Sequence, residues 1–137
     1  MNRMGKRVGA VAIAALLAAA CSGGSSSSET HDVKVKLTEY AISPDLPASS
    51  AGKVTFQVTN AGKEKHEFVV LRTNKPAGHL PMQEGEASEA GNVGEIGNLD
   101  PGQTKGLTLE LSAGRYALIC NLPGHYVGGM HAAFTVK

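Results

Sequence analysis

With 137 residues, 17 glycines, no tryptophan and 18% charged side chains, the chain has room for one ordinary domain. Its composition suits a turn-rich β protein better than a helical bundle. A formal charge of +1, from 13 basic and 12 acidic side chains, lacks the basic excess of a nucleic-acid binder, so nucleic acid is excluded as a partner.

Residues 1–20 read as an export signal: Arg3, Lys6 and Arg7 make a positive start, Val8 to Leu17 an apolar stretch, and Ala18 to Ala20 a small-residue end. The apolar stretch is too short for a comfortable permanent span. Cys21 follows directly and opens onto Ser22-Gly23-Gly24 and four serines, so the region resembles a bacterial lipoprotein signal with Cys21 as lipid acceptor and the Gly/Ser run as tether. Ala18 stands where such signals carry leucine, and Ala18-x-Ala20 also satisfies an ordinary signal peptidase cutting after Ala20. Loss of residues 1–20 leaves ten basic against twelve acidic side chains, a formal charge of −2. With Cys21 acylated, Cys120 has no disulfide partner, and a lone thiol in an oxidising compartment needs something to occupy its sulfur.

Residues 21–32 are small and polar and read as a flexible, lipid-anchored linker, with the folded domain over 33–137. Val33, Val35 and Leu37 alternate with polar residues, the period of a strand with one buried face. Tyr40 to Ala48, with Pro44 and Pro47, reads as an irregular connection. Val54, Phe56 and Val58 alternate as a second strand ending at the turn Asn60-Ala61-Gly62. A third strand runs from His66 to Leu71, placing His66, Phe68 and Val70 on one inward face. Lys75 to Gly97 is long and aperiodic; it reads as a solvated acidic loop, with room for a short helix, and its Glu84, Glu86, Glu89 and Glu95 leave a docking patch as the alternative. Beyond the turn at Asp100-Pro101-Gly102, Leu107 to Leu111 and Tyr116 to Cys120 form two more strands, and Ala132 to Lys137 closes the sheet.

The chemistry concentrates in Cys120-Asn-Leu-Pro-Gly-His125-Tyr-Val-Gly-Gly-Met130. A loop between two strands, rich in Gly and Pro, turns three donors toward one point. Thiolate, imidazole and thioether together select a soft or borderline metal, copper above all, since hard cations want oxygen. His66, on a separate strand facing inward, is the natural fourth donor. Two imidazoles, one thiolate and a weak thioether suit both Cu(I) and Cu(II), and the set leaves no open position or acid–base partner for catalysis. Alone, His66 would be a core histidine, Met130 packing and Cys120 an inert thiol; at this spacing the three join His125 as ligands. His31, His79, His131 and Met82 lack a matching donor set and are assigned to solvent or packing. Leu122, Pro123, Tyr126 and Val127 surround His125 and offer an apolar patch for a partner, a buried turn being the alternative.

The C-x4-H-x4-M loop, with Asn60-x-Gly62-x3-His66 and Gly114-x-Tyr116-x3-Cys120-x2-Pro123-Gly124-His125-x4-Met130, resembles the cupredoxins, the small blue copper proteins, and in particular their pseudoazurin, rusticyanin and sulfocyanin branches. The resemblance covers Val33 to Lys137. It implies an all-β, eight-stranded Greek-key sandwich binding one copper ion, with His66, Cys120 and His125 as strong ligands and Met130 as the weak axial one. Many relatives carry Asn after the first histidine, where it pins the ligand loop by hydrogen bonding; here Glu67 stands there, which puts the tuning of the site in doubt. The expected function is single-electron transfer between redox proteins by an exported, membrane-anchored monomer that is not an enzyme. Copper storage, delivery or resistance is the alternative; open Met/His clusters would favour it, and the sequence has none.

Overall fold

The computed structural model describes residues 29–137. The signal sequence and Cys21 lie outside the described residues. Eleven strands follow in chain order: β1 (Thr30–Thr38), β2 (Ala41–Pro44), β3 (Ala48–Ser49), β4 (Gly52–Asn60), β5 (His66–Arg72), β6 (Met82–Gln83), β7 (Glu86–Ala87), β8 (Asn92–Leu99), β9 (Thr104–Leu111), β10 (Gly114–Ile119) and β11 (His131–Val136). Two sheets, ordered β2-β1-β4-β9 and β3-β11-β10-β5-β8, form the expected all-β sandwich, and β6 with β7 makes a separate hairpin. The eleven strands among the described residues exceed the eight expected because short edge segments and the hairpin are added.

Alternation drives the packing. Val33, Val35 and Leu37 of β1 face Phe68, Val70, Leu118 and Phe134 of the other sheet in one core. Phe56 holds its centre, with its ring 5.4 Å from Phe68 and 5.3 Å from Phe134. Such aromatic contacts add about 0.5–1.5 kcal/mol each beyond the area they bury. At one end Tyr116 is buried and its hydroxyl donates to the Ser112 carbonyl at 2.8 Å, closing the turn before β10.

β5 and β10 are buried on both faces. Val69, Leu71, Ala117 and Ile119 face outward into a second cluster with Ala77, Leu80, Ala87 and Tyr126. The segment between Arg72 and Asn92 is therefore a cover over the central strands, pinned by three small or medium apolar residues, and it contains no helix. Its acidic side chains Glu84, Glu86 and Glu89 remain exposed.

The boundaries differ from the alternation in identifiable places. β1 starts at Thr30, where His31 and Asp32 pair with Val54 and Thr55 of β4, so strand pairing includes residues before Val33. β2 and β3 occupy the Tyr40–Ala48 connection: β2 is an edge strand, where Pro44 lacks only a donor that no neighbour needs. β8 escaped the pattern because only Ile96 and Leu99 are buried in it and its pairing with β5 slips between His66 and Phe68.

Candidate metal centre

The Cys120–Met130 loop is folded by its own backbone. The His125 N–H donates to the Leu122 carbonyl at 2.9 Å, Gly128 to Gly124 at 3.0 Å, and Gly129 to Tyr126 at 3.0 Å. The ends are tied, because Met130 N–H donates to His125 and Cys120 N–H to Met130, both at 3.1 Å. Gly124 has φ +81°, a left-handed turn that favours glycine. A Cβ on Gly128 would sit 2.8 Å from the Tyr40 ring, so glycine lets the loop approach that side chain.

This folding brings the expected donors together. One ligand atom each from His66, Cys120 and His125 lies within 4.8 Å of the others. The Nδ1 atoms of the two imidazoles are 3.2 Å apart, and the Cys120 Sγ is 3.5 Å from His125 Nδ1. Met130, fully buried, ends the same loop, and the four residues are arranged as a type 1 copper site.

Both imidazoles turn their other nitrogen to a carboxylate. His66 Nε2 is 3.2 Å from Glu39 Oε1, and His125 Nε2 is 3.4 Å from Glu64 Oε2. With N–H at Nε2 on each ring, both Nδ1 lone pairs face one another beside a sulfur. Converging acceptors repel unless a cation sits among them, and the donor set therefore fits a metal ion. Two nitrogens and two sulfurs fit copper.

The protonation states agree. Burial holds His66 below the ordinary imidazole value, against the opposing pull of Glu39, which keeps the ring free to donate a lone pair. The Glu64 N–H, foremost, together with the N–H of Lys63 and the His66 ring, holds the Glu39 carboxyl down to about 2. Burial pushes the Cys120 thiol up, although the Glu67 N–H reaches its sulfur at 3.3 Å. Metal binding must then displace the thiol proton. In the metal-free protein Cys120 is expected to react with a small disulfide reagent at least about tenfold more slowly than in the denatured chain. Peptide mapping of the labelled residue measures this, and equal rates would mean an accessible sulfur.

Glu67 takes over the bridging expected of an asparagine. Its Oε1 accepts the Asn121 N–H at 2.9 Å, so the strand carrying His66 remains tied to the loop carrying Cys120. Burial, foremost, with the charges of Glu89, Glu95 and Glu86 raises its carboxyl above the usual range. Asn121 clamps the cover: its Oδ1 accepts the Ala87 N–H at 2.8 Å and its amide donates to the Ala87 carbonyl at 2.9 Å.

The surroundings of His125 depart from the expectation in part. Val127 is 70% exposed and Pro123 is exposed, but Tyr126 is buried, donating its hydroxyl to the Ala77 carbonyl and accepting the Leu80 N–H. Tyr126 thus secures the cover and does not belong to a surface patch. Tyr40 takes its place, edge-on to the His125 ring at 5.7 Å and half exposed. The spare donors do not assemble: His131 packs against Tyr126 at 5.3 Å, His79 is exposed, and His31 sits in β1 at the far end of the sheet from Thr38. Met82, expected in packing or solvent, is 45% exposed. Sequence reasoning passed over Glu39, Tyr40 and Glu64, whose roles arise only from folding. Asn60 and Gly62 were visible, as a turn.

No curated protein sequence matches the chain. Among solved structures, dithionite-reduced auracyanin from the photosynthetic bacterium Roseiflexus castenholzii is 22% identical with a TM-score of 0.57, over 79% of this chain and 96% of that one. Auracyanin A, a "blue" copper protein from Chloroflexus aurantiacus, is 21% identical with a TM-score of 0.55, over 80% and 100%. Rusticyanin from Thiobacillus ferrooxidans is 22% identical with a TM-score of 0.55, over 79% and 77%. These likenesses establish the sandwich. A family model for the cupredoxin-like domain matches residues 10–131, and with the His–Cys–His–Met arrangement inside that span, the chain belongs to the cupredoxin family.

Proposed function

We propose that this chain is an exported electron carrier that binds one copper ion through His66, Cys120, His125 and Met130 and is tethered to a membrane by lipid on Cys21. The observation that carries this reading is the meeting of one ligand atom each from His66, Cys120 and His125 within 4.8 Å, with a carboxylate at the far nitrogen of each histidine ring. Bound copper supplies a one-electron couple. The protein's part is to keep the donors still: His66 sits in the sheet, and the other three ride a loop closed by five backbone hydrogen bonds.

His125 is the natural route for the electron. Its side chain is 12% exposed whereas Cys120, His66 and Met130 are fully buried, and Val127 and Tyr40 give a partner apolar contact beside it. Two nitrogens and two sulfurs suit both oxidation states of copper, which supports a carrier. Partners are redox proteins, and a tether raises the carrier's effective concentration beside membrane-bound ones. Among the described residues no helix is long and apolar enough to cross a membrane.

Copper reconstitution followed by visible and paramagnetic-resonance spectra and by voltammetry tests the reading. An intense sulfur-to-copper band with a reversible one-electron wave is expected. A colourless copper complex overturns it, and ready surrender of Cu(I) to a chelator shifts the role to copper handling. Met130→Gln is expected to keep the site assembled while lowering the potential, because an amide oxygen would be a harder donor than the thioether and would favour Cu(II). A tenfold change in relative affinity is about 59 mV, the least shift expected; an unchanged potential would remove Met130 from the residues that would hold the metal.

A further inference from the structure

The carboxylate of Glu39 is built into the site more firmly than a surface glutamate needs. A single oxygen, Oε1, accepts N–H groups from Lys63 at 2.7 Å and Glu64 at 2.8 Å, and meets His66 Nε2 at 3.2 Å. The histidine side chain is fully buried, and among the described residues its Nε2 meets only Glu39, whose side chain is 26% exposed. Gly62 keeps the place open, since a Cβ there would run into the Glu39 carboxyl group. One acid from the end of the β1 strand thus gathers the loop that precedes His66 and the ring itself.

We propose that Glu39 is a positioning residue for His66: it fixes the proton at Nε2, so that Nδ1 presents its lone pair to the donor cluster, and its charge makes the imidazole a stronger donor to Cu(II) than to Cu(I). The inference rests on the copper reading for its redox half alone. A carboxylate accepting the outer N–H of a ligating imidazole fixes the tautomer and raises ligand basicity. Negative charge behind the ring stabilises the more highly charged oxidation state, so the charge of Glu39 lowers the potential.

Two variants separate the two roles. Glu39→Gln keeps an acceptor oxygen, oriented by the two backbone N–H groups, and removes only the charge. Glu39→Ala removes the acceptor as well. In the metal-free protein, at a pH where imidazoles are neutral, 15N-histidine spectra are expected to show His66 with its proton on Nε2 in the parent and in Glu39→Gln, and a mixture of tautomers in Glu39→Ala. In the copper-loaded proteins, Glu39→Gln is expected to keep the visible band and to shift the Cu(II)/Cu(I) affinity ratio about tenfold toward Cu(I), a rise of about 59 mV. A parent His66 with its proton on Nδ1 overturns the positioning role. A Glu39→Gln potential equal to the parent's overturns the charge effect. Failure of the parent to form a coloured copper site sinks the copper reading instead, and the tautomer spectra still decide the positioning role.

Discussion

Cys120→Ser is expected to abolish the visible band and to weaken copper binding by more than about 100-fold, since even the outer partners of a ligand cost 10–100-fold when removed. The colour comes from charge passing between sulfur and copper, so no oxygen can replace it. A serine hydroxyl also stays protonated where a thiol, although pushed up by burial, gives up its proton to the metal. The fold should survive. Serine is nearly the same size, and the Glu67 N–H that reaches the sulfur at 3.3 Å can reach a hydroxyl oxygen after a small shift. Thermal unfolding of the metal-free variant should therefore stay within about 2 kcal/mol of the parent. Absorption titrations with copper and calorimetry of the metal-free protein read the two effects separately. Full colour in the variant would dismiss the site.

The ligand set was legible because its chemistry is local: three of four donors lie between Cys120 and Met130, where spacing alone makes them converge. His66 was legible for another reason, the alternation that puts it on the same face as Phe68 and Val70, and all three are buried. Strands with one apolar face, such as Val33–Leu37 and Val54–Val58, declared themselves in the same way. What stayed hidden has no period. β8 buries two side chains across a register slip, and the cover over β5 and β10 is held by Ala77, Leu80 and Ala87, three contacts interrupted by Gly78, Pro81 and Gly85 and too sparse to mark an element. Glu39 lies 27 residues from His66 and meets it only because β1 runs parallel to β4 and brings Leu37 beside Asn60. Charged residues at strand ends look alike in a sequence. Their partners across the fold distinguish them.

Asn60→Ala is expected to have the largest effect on stability of any single polar truncation near the site. Asn60 is fully buried at the end of β4, and its side chain satisfies three backbone groups. Its amide donates to the carbonyls of Glu64 at 2.7 Å and Leu99 at 2.8 Å, and its Oδ1 accepts the Gly62 N–H at 2.9 Å. Alanine fills none of these, and the Leu99 carbonyl lies where water reaches poorly. Each buried group left unpaired costs about 1–3 kcal/mol, and partial relaxation of the exposed side of the turn brings the total to about 2–4 kcal/mol. For a domain of this size that lowers the melting temperature by about 10 °C or more. Asn60→Asp separates the donors from the acceptor: it still accepts from Gly62 but faces two carbonyls with a charge and no hydrogen to give, so it should be at least as unstable as alanine. The turn between Asn60 and His66 also carries the two N–H groups that hold Glu39. Loosening it should weaken copper binding as well, and saturating copper should then recover part of the lost melting temperature, because a ligand that binds only the folded chain favours it. An alanine variant melting within ~1 °C of the parent would show that water, not Asn60, completes this turn.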